Sequence, residues 1–243
     1  MKSLNKTTPI FVYLLVLLPF FSHASAYWME IKGNHKLSSQ VTVELIYGNI
    51  DELGTRHRQT GQELVLAGEF SFQLIDPKGN IRPLKMTKKI DCWSMVFLPE
   101  LSGQYRIIGI NKTHPVVDRS ATGGESILPI DYLCGQYIAG YISEQRKPAQ
   151  FLDLLVNKQG KSIIVNAFRE DKHEKAKSKL RVFNPENWEK KLVVDENGAA
   201  VFYATAKGMY NIRLDWNDPT AGKYKGIAYT SIRHRCNYCL FIE

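Results

Sequence analysis

The sequence predicts an all-β protein built from two tandem β-sandwich domains, on three observations. The first is an internal repeat. Val96–Ile107 and Val201–Ile212 both read VFxxxxxGxYxI without a gap, 105 positions apart. That spacing is the size of one sandwich domain, and a match of five residue types in register points to two related units in tandem. The second is a series of short runs with period-two alternation, each closed by turn-forming residues. The third is that no segment sustains the 3.6-residue period of an amphipathic helix.

Taken in order, the chain opens with a leader. Lys2 and Lys6 precede a 12-residue apolar run, Ile10–Phe21, and Ala24-Ser25-Ala26 follows as a small-x-small cleavage pattern. This reads as a secretory signal peptide over residues 1–26, with cleavage after Ala24 as the alternative to cleavage after Ala26. The first sandwich is expected over residues 27–143. Its strands include Gln40–Tyr47 and Glu69–Ile75, the latter ending at the turn Asp76-Pro77-Lys78-Gly79. Ser120–Ser126 reads as a mobile loop, and the polar, proline-containing residues 144–150 read as the linker. The second sandwich is expected over residues 151–243. Its strands include Ser162–Phe168, Leu180–Phe183 and a hairpin over Lys191–Val201 turning at Asp195-Glu196-Asn197-Gly198, where Asn-Gly is the cue.

Within the repeat, Gly103-x-Tyr105 and Gly208-x-Tyr210 each precede an alternating stretch. Glycine permits an unusual backbone angle. A tyrosine there buries its ring and bonds its hydroxyl to nearby backbone, as in the tyrosine corner of sandwich domains. All four residues are therefore structural in this reading.

The 243 residues carry a formal charge of +8, or +6 without the two leader lysines. The charge is spread out. The densest run, Arg169–Lys179, mixes both signs and reads as a solvated loop or hairpin tip. No nucleic-acid motif is present, and export argues against that partner. No GxSxG, Walker loop, GxGxxG or HExxH occurs. Asp215 and Asp218 could form a carboxylate pair, but beside Asn217 and Pro219 they read as turn formers. The expectation is a non-enzymatic protein, and outside the leader no stretch is long enough for a spanning helix.

The closing stretch, Arg233–Glu243 (RHRCNYCLFIE), holds the main candidate site. If Thr230–Ile242 is a strand, Ile232, His234, Cys236, Tyr238 and Leu240 share one face and Cys239 lies on the other. Cys236 and Cys239 then have Cα atoms ~10 Å apart, too far for a disulfide, which needs less than ~7 Å. A thioredoxin-like site would need a following helix, and only four residues follow Cys239. His234 and Cys236, ~6.5 Å apart along one face, could ligate zinc, copper or nickel with a third ligand such as His114. Against that, the same face reads as core, where free cysteine is common. His35, His57 and His173 form no ligand spacing. Cys92 and Cys134 fall in the first domain with 41 residues between them. A bridge there would stabilise the fold by roughly 4 kcal/mol.

Over most of its length the chain resembles a family of exported bacterial proteins described as nickel/cobalt-uptake periplasmic components. Tyr27-Trp28-Met29-Glu30 is similar to that family's aromatic-Trp-x-Glu start. The second half is similar to prealbumin-like, carboxypeptidase-regulatory-like modules through Leu180-x-Val182-Phe183-Asn184-Pro185-x-x-Trp188, Asp195–Gly198, Gly208-Met209-Tyr210 and Arg233-His234-Arg235. The resemblance implies a structural role for Trp188 and a periplasmic or secreted location. It further implies binding of nickel or cobalt, and a membrane metal transporter or an outer-membrane receptor as partner. The chain departs from the family at the histidine expected before the aromatic-Trp pair, where Ser25-Ala26 stands. The rival expectation is a structural or adhesive surface module that binds a protein or glycan.

Overall fold

The computed structural model describes residues 26–51, 54–119, 121, 123–141 and 147–243. The leader expected over residues 1–26 lies outside these except for the backbone of Ala26, as do parts of the expected loop and linker. The first half contains β1 (Ala26–Lys32), β2 (Val41–Ile50), β3 (Arg56–Arg58), the helix α1 (Gln62–Ala67), β4 (Ser71–Ile75), β5 (Ile81–Leu84), β6 (Thr87–Lys88), β7 (Trp93–Phe97), β8 (Gly103–Asn111) and β9 (Ile127–Ala139). The second contains β10 (Leu152–Gln159), β11 (Ser162–Arg169), β12 (Lys172–His173), β13 (Lys179–Phe183), β14 (Glu189–Val193), β15 (Ala199–Tyr203), β16 (Gly208–Asp218), β17 (Gly222–Tyr224), β18 (Ile227–Tyr229) and β19 (Ser231–Ile242). The fold is all-β sandwich, with the short α1 as the one helix among the described residues. Helix α1 is a single turn and a half that buries Leu64 and Ala67, too short to leave a periodic signature in the sequence. No described helix is long and apolar enough to cross a membrane.

The two halves are fused in a way the tandem pattern does not reveal. One eight-stranded sheet runs through both, in the order β14-β13-β16-β19-β9-β8-β4-β5. Its centre is a parallel ladder in which Ser231–Cys239 pair with Ile127–Gly135. The order is a palindrome of equivalent strands, so the halves are related by a two-fold rotation about an axis along β9 and β19. Such a rotation turns the inner face of one half into the outer face of the other. The covering sheets accordingly lie on opposite sides. Strands β1, β2, β3, β6 and β7 form one sheet and β10, β11, β12 and β15 the other. Trp28, Val43, Met95, Tyr105, Ile107 and Leu133 meet in the first core, joined by Cys239 from the second half. Leu154, Val165, Phe202, Tyr210, Ile212 and Cys236 meet in the second, joined by Tyr132 and Cys134 from the first half.

Two local expectations change for the same reason. Asp195–Gly198 is a turn, closed by Asp195 N–H to Ala199 O at 2.7 Å. Yet β14 belongs to the long sheet and β15 to the covering sheet. The Asn-Gly turn therefore carries the chain from one layer to the other and closes no ladder. The described part of the expected linker, residues 147–150, is also packed. Arg106 donates to Lys147 O at 2.9 Å, Ala149 N–H to Asp153 at 2.7 Å and Gln150 to Cys134 Sγ at 2.9 Å.

The two repeat corners are built alike. Gly103 has φ 138° and Gly208 φ 120°, a region open to glycine at little cost. The Tyr105 hydroxyl donates to Leu101 O (2.9 Å) and accepts from Leu101 N–H (2.8 Å). The Tyr210 hydroxyl donates to Ala206 O (3.1 Å) and accepts from the N–H groups of Thr205 (3.0 Å) and Ala206 (2.9 Å).

Candidate functional site

Strand β19 places His234, Cys236, Tyr238 and Leu240 on one face and Cys239 on the other, but the histidine and cysteine are occupied by the core. His234 Nδ1 is hydrogen bonded to the Tyr132 hydroxyl at 3.0 Å. Its ring packs against Phe151, Trp216 and Tyr132, with centroids at 4.7, 5.1 and 6.0 Å. Burial lowers its pKa, so the imidazole is held neutral within an aromatic box. Burial and the neighbouring Cys134 push the Cys236 thiol well above its ordinary value, which disfavours the thiolate that a metal would require. His114 sits on an exposed loop with Nδ1 against Pro115 O at 2.8 Å. Among the described residues no three His, Cys, Asp or Glu side chains converge as a ligand set. His234, Cys236 and His114 therefore do not fit a resident nickel, cobalt, zinc or copper ion.

The cysteines divide between the two cores. Cys92 and Cys239 belong to the first, Cys134 and Cys236 to the second. The expected Cys92–Cys134 bridge is thus corrected: β9 turns Cys134 away from the core that holds Cys92. All four thiols are free and buried. Cys239 accepts a hydrogen bond from Met29 N–H at 3.2 Å, and burial pushes its thiol up to about 12. Cys134 Sγ lies 3.3 Å from Cys236 Sγ and donates to Asp153 Oδ1 at 3.3 Å.

Asp153 is the centre of a buried polar cluster that the sequence did not reveal. Both its oxygens accept from Arg106 Nη2, at 2.7 and 2.9 Å. Leu154 N–H donates to the same carboxylate at 2.8 Å. Burial alone would lower the Arg106 pKa, but Asp153, together with Cys134 and Tyr238, turns the net shift upward. The cluster ties β8 of one half to β10 of the other. Arg106 and Asp153 are both buried. The alternating apolar context of both residues hid the cluster, since only the fold brings them together.

Of the two aspartates read as turn formers, Asp218 ends β16 at a turn and Asp215 lies within the strand. Asp215 accepts from Arg235 Nε at 2.6 Å, and Asp218 caps a turn by accepting from Thr220 N–H at 2.9 Å. Trp188, expected as structural, is 74% exposed. Only its backbone serves the fold, closing a turn with Asn184 through bonds of 2.7 and 3.1 Å.

The surface offers two more features. Where the long sheet's first half is uncovered, a cavity of about 230 Å³ opens between Gln73, Ile108, Ile110, Lys112, Gln150 and Phe151. The second feature follows the repeat. On β7 and just beyond it, Val96 and Leu98 are 55% and 49% exposed, and at the equivalent positions on β15 Val201 and Tyr203 are 50% and 67% exposed. Strand β6 pairs β7 only at Trp93 and Ser94, and among the described strands β15 pairs with β11 alone. Each repeat therefore presents an apolar pair on a strand whose outer edge is open.

No family model matches the chain, and a search of curated proteins finds no significant relative. Among solved structures, the chain overlaps chicken interferon gamma receptor alpha chain with TM-score 0.24 and 13% identity, covering 91% of this chain and 99% of that one. It overlaps a marsupial T cell receptor with TM-score 0.23 and 8% identity, covering 87% and 95%. Dimeric latent PorU from Porphyromonas gingivalis overlaps with TM-score 0.23 and 7% identity, covering 86% of this chain and 20% of PorU. At these scores the overlaps establish no equivalence of residues.

Proposed function

We propose that the chain is an exported, non-enzymatic binding protein that engages a protein partner through the open strands β7 and β15. The observation that carries this reading is the repeated exposed pair, Val96/Leu98 and Val201/Tyr203, on strands with unpaired outer edges. An exposed edge offers backbone donors and acceptors to an incoming strand, and outward apolar side chains add contact area. The nickel- or cobalt-uptake role implied by the resemblance, with a membrane transporter or outer-membrane receptor as partner, is the rival. It lacks a converging ligand set among the described residues.

A photocrosslinking amino acid placed at Val96 or Val201, in cells exporting the protein, tests the reading. A discrete adduct at both positions, absent at the exposed Lys190, is expected. Labelling no stronger than at Lys190 sinks the proposal. Calorimetry with nickel, cobalt, zinc and copper runs beside it. Binding at one equivalent, lost in His234→Ala, restores the metal reading.

A further inference from the structure

We propose that Cys134 and Cys236 are joined by a disulfide that staples the two halves across the β9–β19 seam, formed by exchange with a disulfide-bearing thiol oxidant. The proposal rests on the reading that the chain is exported, because disulfides persist in oxidising compartments.

The placement is carried by the parallel ladder. Cys236 pairs in register with Tyr132, and Cys134 with Tyr238. The two cysteines are thus on adjacent strands, two residues out of step, and face the same core. Their sulfurs are already 3.3 Å apart. A disulfide has S–S at ~2.05 Å, so little more than an ångström of closure is needed. Two residues out of step on strands ~4.8 Å apart sets the two Cα atoms ~8 Å apart, beyond the ~7 Å that a relaxed disulfide spans. Closure therefore takes a backbone shift of about 1 Å at the seam together with side-chain rotation. Cys92 and Cys239 face the other core and have no such partner position. The seam is also where a cross-link matters, because the ladder between Ser231–Cys239 and Ile127–Gly135 is what makes two four-stranded halves into one sheet.

The chemistry balances by thiol–disulfide exchange. One cysteine loses its proton and attacks a sulfur of the oxidant RSSR. That S–S bond breaks, and one RSH leaves after taking up a proton. The second cysteine, also deprotonated, attacks the mixed disulfide and expels the second RSH. Two protein thiols are oxidised to one disulfide and RSSR is reduced to two RSH. In the finished fold both sulfurs are buried, so exchange takes place before β19 seats against β9.

The test is a thiol count on the full chain, recovered from the compartment to which it is exported, denatured in acid and alkylated with and without prior reduction. Two alkylated cysteines without reductant and four with it are expected, and a non-reduced peptide map should show one cross-linked pair, Cys134 with Cys236. A cross-link involving Cys92 or Cys239 overturns the pairing, and four free thiols overturn either the pairing or the export on which it rests. Refolding the reduced chain in oxidised and reduced glutathione separates the two premises. Formation of the same pair there, with free thiols in the chain from cells, upholds the pairing and sinks export. Failure to form it there overturns the pairing itself. Cys134→Ala/Cys236→Ala should remove the dependence of unfolding on reductant. If reductant still shifts its unfolding midpoint as in the unaltered chain, the staple is wrongly placed.

Discussion

Asp153→Ala should be among the most damaging single changes in this protein. The Asp153 side chain is 0% exposed and that of its partner Arg106 7% exposed. The carboxylate accepts twice from Arg106, at 2.7 and 2.9 Å, and once each from the N–H groups of Ala149 and Leu154, at 2.7 and 2.8 Å. Truncation leaves a buried guanidinium whose remaining partner is Lys147 O. Removing one member of a buried pair costs about 3–5 kcal/mol, because the surviving charge is uncompensated in a medium of low dielectric. Against a total of roughly 5–15 kcal/mol, that is a large share. With a urea slope of about 2 kcal/mol per molar, the midpoint should fall by about 2 M with little change in slope. The reasoning goes further for the pair. Replacing both groups by apolar ones, Arg106→Met with Asp153→Leu, should recover the part of the loss due to the uncompensated charge, while the N–H groups of Ala149 and Leu154 still lack the carboxylate. Urea unfolding followed by circular dichroism measures all of these variants. A cost below about 1 kcal/mol for Asp153→Ala, or a double variant no better than the worse single one, would refute the account of a compensated buried pair joining β8 to β10.

Further outcomes follow from other features. Tyr210→Phe leaves the N–H groups of Thr205 and Ala206 without their acceptor, and should cost about 1–3 kcal/mol. Tyr105→Phe should cost no more than Tyr210→Phe, since its hydroxyl serves one residue rather than two; chemical denaturation ranks them. Gly208→Ala forces a side chain to φ 120° and sets a Cβ 3.0 Å from Pro185, so a loss of about 1–3 kcal/mol is expected in the same assay. His234 has a folded-state pKa lowered by burial from 6.5. The unfolded chain then binds the proton first, so stability is full above pH 6.5 and declines as pH falls towards the folded value. His234→Phe should flatten that decline, and an unchanged pH profile would remove His234 as its source. If the Cys134–Cys236 bond forms, it closes a loop of 102 positions, and its reduction should cost about 4 to 5 kcal/mol.

Strands and corners are local features and could be read from neighbouring residues. Alternation in Gln40–Tyr47, Glu69–Ile75 and Ser162–Phe168 is a relation between residues i and i+2, and it reappears as β2, β4 and β11. Gly-x-Tyr fixes a glycine angle and a hydroxyl bond only four or five residues away, so it too is local. The same alternation put His234 and Cys236 on one face of β19 and Cys239 on the other. What that face touches was decided elsewhere. The parallel pairing of β19 with β9 joins residues 104 positions apart, and the passage of the chain at Asp195–Gly198 from one layer to another is set by the pairing of β15 with β11, up to 41 positions away. The ring-filled surroundings of His234, the Arg106–Asp153 pair and the meeting of Cys134 with Cys236 are consequences of the β9–β19 pairing. Periodicity says which side of a strand is apolar. Only the tertiary structure says which core that side enters, because the choice is made by whichever distant strands bury the most surface together without leaving backbone groups unpaired.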